Sequence, residues 1–117
     1  ELARAVAIIR QLPDRVSAEQ LRQAGPEAER AAVQISMSFE TMGLLVFERI
    51  TPFSLVQDLS GGIVVVMWRK LGKWLEAIRV EQSQPSWAEW FQWLAQLLEQ
   101  HKLQQEPAHS KYRSWVP

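Results

Sequence analysis

The stretch PEAERAAVQISMSFETMGLLVFERI, residues 26–50, decides the fold. Pro26 sits where the first turn of a helix has no use for an amide, and Glu27 and Glu29 bring negative charge to the positive helix end. From there Ala28, Ala32, Ile35, Phe39, Met42, Val46 and Ile50 recur at three- and four-residue steps. This spacing predicts one helix of about six turns with a continuous apolar face. Leu44, Leu45 and Phe47 widen that face near its end, so this part is expected to be surrounded on more than one side. A helix of this kind belongs at the centre of a bundle.

Upstream, Leu2, Val6 and Ile9 define one side of a first helix over 1–11, which Pro13 ends. Ser17 and Gln20 have the spacing of a capping box, and the short helix they open stops at Gly25. Downstream, Thr51-Pro52 repeats the cap-then-proline signature and predicts a short helix over 53–59, ending before Ser60-Gly61-Gly62. A further helix is expected to begin there. The run Ile63 to Val66 alone could form a strand, but Val64, Met67, Trp68, Leu71, Trp74, Leu75 and Ile78 keep helical steps. Arg69, Lys70, Lys73 and Glu76 occupy the opposite side. The last helix is predicted from Pro85-Ser86, with Trp87, Trp90, Phe91, Leu94, Leu97 or Leu98, and His101 on its stripe. No stretch shows the alternation of a half-buried strand. The fold class is therefore all-α, a small bundle of about four main helices plus one or two short ones. It spans residues 1–104 as a single helical domain, and 105–117 read as a C-terminal tail. The expected core is Phe39, Met42, Val46, Trp68, Leu71, Leu75, Trp90, Phe91 and Leu94.

Composition bounds what such a bundle can do. The 117 residues are 47% apolar, and 13 basic residues cancel 13 acidic ones. A chain of this size buries about two-thirds of its extended surface, enough for one core and too little for two. Zero net charge removes the attraction that drives binding to a phosphate backbone, so no nucleic-acid partner is expected. The lack of cysteine excludes disulfides, thiol catalysis and cysteine-based zinc sites. The longest apolar run, Ile63 to Trp68, is far short of the ~20 residues of a membrane span. The chain starts at Glu1 in a helical pattern, which is compatible with an anchor upstream. The setting expected is cytoplasmic, or the cytoplasmic face of a membrane if such an anchor precedes Glu1.

Four features in order carry a family resemblance: Phe39-Glu40-x-x-Gly43-Leu44-Leu45-Val46, the step Trp68-x-x-Leu71, the pair Ile78-Arg79, and Trp90-Phe91-Gln92-Trp93-Leu94. Together, over about residues 28–100, they resemble a family of bacterial helical domains of unknown function, often found behind an N-terminal membrane-spanning helix. The resemblance implies an all-helical domain and supplies no reaction.

Candidate chemistry is sparse. His101 is preceded at the three- and four-residue steps by Leu98 and Leu97, so the helical Glu-x-x-His metal pattern is absent, and His109 falls in the tail. Gly61-Gly62 could present amides to a phosphate, but Gly72-Lys73 continues with Trp74 and lacks the earlier glycine of a P-loop. No metal and no cofactor is expected. Glu40 and Arg79 each follow a core residue, which predicts a structural ion pair between them or with another opposite charge. The alternative is a small-molecule or enzymatic pocket near these two groups.

Six tryptophans are the largest anomaly of composition. Trp68, Trp74, Trp87 and Trp90 lie on or beside core stripes, whereas Trp93 is turned about 100° from the stripe of its helix and Trp115 lies in the tail. Large apolar groups outside a core are anchors for other proteins. The expected interaction surface is Trp93, Leu103, Tyr112 and Trp115. The tail is expected to pack across its own bundle, to exchange into a neighbouring copy, or to wait free for a partner, in that order. The function expected is a non-enzymatic interaction or scaffolding domain, with a protein partner or self-association.

Overall fold

The computed structural model describes residues 1–102 and 107–117 and extends 52 × 29 × 24 Å. It contains α1 (Leu2–Arg10), α2 (Ala18–Ala24), α3 (Pro26–Phe47), α4 (Phe53–Glu81), α5 (Glu89–Gln100) and α6 (Ala108–Lys111). There is no strand among the described residues. The fold is a small all-α bundle.

Helix α3 is its axis. It packs chiefly against α1 and α5, while α4 packs mainly against α5. Its predicted stripe is buried at Ala28, Ala32, Ile35, Phe39 and Val46. Phe91 joins three helices: its ring centroid lies 5.5 Å from that of Phe39 on α3 and 5.1 Å from that of Trp68 on α4. Of the nine expected core residues, six are buried and Met42, Trp68 and Trp90 are partly so.

The capping box of α2 is formed as read: Ser17 Oγ accepts from the Gln20 amide, and Gln20 Oε1 accepts from the Ser17 amide. The segment before it is fastened to the middle of α4. The Arg15 and Val16 amides donate to the carbonyls of Arg69 and Lys70, and Lys70 Nζ donates to the Leu12 carbonyl while pairing with Asp14. This holds Val16 in the core.

Three helix limits differ from the sequence reading. Helix α3 stops at Phe47, because Arg49 adopts a left-handed conformation (φ 59°) and the Ile50 and Thr51 amides fold back onto the Leu45 carbonyl. Ile50 is thereby carried out of the stripe and is 70% exposed. The two helices expected around Ser60-Gly61-Gly62 are one 29-residue helix. Each glycine weakens a helix by ~1 kcal/mol relative to alanine but keeps its amide donor, so burial of Val56 and Val64 on either side carries the helix through. Helix α5 starts at Glu89 rather than at Pro85-Ser86, since Ala88 is left-handed (φ 57°). The turn before it swings Trp87 out to 44% exposure, off the predicted stripe.

Candidate functional site

A helix needs partners for its first amides, and a serine or aspartate at the cap position usually supplies one. At α5 the cap residue is Ala88, which has no such group. The missing acceptor comes from α3: Glu40 Oε1 accepts the amide of Phe91, the third residue of α5, at 2.8 Å. Arg79, at the end of α4, holds the other side of the same turn. Its Nε donates to the Trp87 carbonyl at 2.7 Å and its Nη2 to the Ala88 carbonyl at 3.4 Å, with the guanidinium 5.9 Å from the Trp68 ring.

The ion pair expected between Glu40 and Arg79 is therefore not formed, and among the described residues neither joins another opposite charge. Each is drawn instead to backbone dipoles that the left-handed turn at Ala88 leaves open: the carboxylate to amides, the guanidinium to carbonyls. Burial pushes the Glu40 carboxyl above its ordinary value, and the adjacent Glu89 adds to this. The amides of Phe91 and Trp90, and more weakly Arg79, pull the other way without overcoming it.

The same contact explains Gly43. A Cβ there would stand 2.7 Å from the Trp90 carbonyl carbon and closer still to its oxygen, so α3 and α5 touch backbone to backbone. Beside this contact Phe47, Trp90 and Trp93 form an aromatic cluster, with Phe47 4.6 Å from Trp90 and 5.8 Å from Trp93 between centroids. Trp93 is half-buried there. Leu44 and Phe47, expected to be surrounded, remain exposed. The α5 rings cover only one side of Phe47.

Neither Tyr112 nor Trp115, the other described residues of the expected surface, stacks on this cluster. Tyr112 and Trp115 follow α6, both exposed, Trp115 at 72%, with Lys111 Nζ 5.3 Å from the Tyr112 ring. Leu103 lies outside the described residues. Tyr112 helps line a cleft of about 600 Å³ with Asp58, Gly62, Arg69, Leu98 and Lys111. His101 packs edge-on against Phe53 at 5.6 Å, its Nδ1 2.9 Å from the Leu97 carbonyl.

One apolar face escaped the sequence reading. Val33, Met37 and Leu44 lie on the side of α3 turned away from the core, Met37 at 67% exposure. Their four- and seven-residue steps keep them within about 40° of one another around the helix, and this spacing was the available signal.

Among the described residues no three His, Asp or Glu side chains gather closely enough to hold a metal ion. No described helix is long and apolar enough to cross a membrane. No curated protein and no solved structure matches the chain. A family profile, described as a domain of unknown function, matches residues 1–97. By that match over most of its length, the chain belongs to the DUF4760 family.

Proposed function

We propose that this domain works by presenting apolar surface to protein partners and catalyses no reaction. The observation that carries this reading is where the surplus apolar side chains lie. They gather on the outer face of α3, running into the Phe47–Trp90–Trp93 cluster, and again at Tyr112, Trp115 and Val116 in the tail. Contiguous exposed apolar groups of this kind mark interaction sites. The enzymatic alternative loses support because Glu40 and Arg79 are both engaged by backbone. A cytoplasmic setting, or the cytoplasmic face of a membrane should an anchor precede Glu1, is part of the proposal through the resemblance to a family of bacterial domains often found behind a membrane-spanning helix.

Site-specific photo-cross-linking in cells tests it. A photoreactive side chain at Met37 or Trp115 should give discrete protein adducts, whereas one at the exposed, polar Glu76 should not. Equal labelling from all three positions, or none from Met37 and Trp115, would overturn the reading.

A further inference from the structure

We infer that the outer face of α3 pairs with the same face of a second copy of this chain, antiparallel about a twofold axis, with Arg30 of each copy meeting Glu48 of the other. The inference rests on the interaction reading and names the partner. Its basis is the symmetry of the face. Val33 and Leu44 lie at nearly equal distances on either side of the level of Ser38 and Phe39, and Met37 and Thr41 lie close to it. A twofold axis at that level sets Val33 against Leu44 of the second copy, and Leu44 against its Val33.

The charges at the margin obey the same symmetry. Arg30 and Glu48 are 18 residues apart, which is five full turns, so they stand on the same flank of the strip at its two ends. A twofold axis perpendicular to antiparallel helices keeps flanks together and exchanges ends. It therefore brings Arg30 beside Glu48 of the second copy, and this occurs twice in the dimer. Among the described residues neither the Arg30 nor the Glu48 side chain forms a hydrogen bond or ion pair within its own chain. Glu40, which falls on the strip near the axis, turns its carboxylate aside to the Phe91 amide. The 22-residue helix is about 33 Å long, so the face is of a size for the lower end of specific interfaces, a contact that dissociates on dilution.

Sedimentation velocity over a dilution series of the 117-residue chain tests the pairing, with circular dichroism confirming that each variant is folded. Wild type should show a monomer–dimer equilibrium. R30E and E48R should each weaken it by about 10- to 100-fold, since each places like charges together twice. Mixing R30E with E48R should restore dimer in a heterodimer, because the opposite charges then meet at both ends. A wild-type chain monomeric at millimolar concentration overturns the inference. So does a dimer insensitive to both swaps, or one lost only when residues 107–117 are removed. If the chain is monomeric yet Met37 still cross-links to a cellular protein, self-pairing fails while the interaction reading stands. If neither is seen, both fail.

Discussion

Glu40 and Phe91, 51 residues apart in sequence, are joined as a cap residue and its helix normally are: the carboxylate of α3 accepts the third amide of α5. A cap supplied from another helix couples two things that are usually separate. The first turn of α5 is completed by a group of α3, at the level where Gly43 of α3 meets Trp90.

Replacing Glu40 by alanine takes from the Phe91 amide its acceptor. The expected loss is about 0.5–2 kcal/mol, the usual value of an N-cap. E40Q keeps a carbonyl acceptor and should retain most of that stability. Urea unfolding of the three proteins measures both differences, and an alanine variant as stable as wild type would mean that the bond contributes nothing.

Acidity gives a second view of the same group. Because burial raises the Glu40 pKa above 4.5, the folded chain binds this proton more tightly than the unfolded chain. Its contribution to stability is then fully present below the ordinary carboxylate range and is lost as pH rises through the raised folded value. Measured against E40Q, which lacks this titration, wild type should lose relative stability as pH rises through and above the ordinary carboxylate range. A relative gain over that range would show that the Phe91 and Trp90 amides outweigh burial.

The bundle was legible where spacing and packing coincide. The α3 stripe, the α2 capping box and the helical phase of Met67, Leu71 and Leu75 follow from apolar periodicity, because the side chains that set the period are those the core buries. The candidate site was much less legible. A backbone amide has no residue letter, so nothing in the sequence marks the Phe91 amide as the partner of Glu40, and an opposite charge was the natural expectation. The left-handed Ala88 carries no glycine or asparagine to announce it. The outer face of α3 was visible as spacing, but periodicity cannot decide which of two apolar faces is covered.

Gly43 should tolerate no side chain. A Cβ would press on the Trp90 main chain, and a helix backbone cannot step aside as a flexible side chain can. Gly43→Ala should cost about 1–3 kcal/mol, the usual range for overpacking, despite the better helix propensity of alanine. The change should also lower the near-ultraviolet dichroism of the Phe47–Trp90–Trp93 cluster, because relief of the contact requires α5 to move. A variant with wild-type stability and spectrum would show that α3 and α5 are not in backbone contact.

Gly62 gives the opposite expectation, and with it a direct test of whether α4 is continuous. It lies inside the 29-residue helix, and a Cβ built there meets nothing within 4 Å. With no steric cost, Gly62→Ala should gain only the helix propensity difference, about 0.5–1 kcal/mol of added stability. Gly61, whose Cβ would reach ordinary contact with Leu98 Cδ2 at 3.4 Å, should gain somewhat less. If the chain instead turned at Ser60-Gly61-Gly62, as the sequence alone suggests, alanine at these positions would disfavour the turn and lower stability. The sign of the change in denaturation midpoint therefore separates one helix from two, and a loss of stability in both variants would place the break back at the glycine pair.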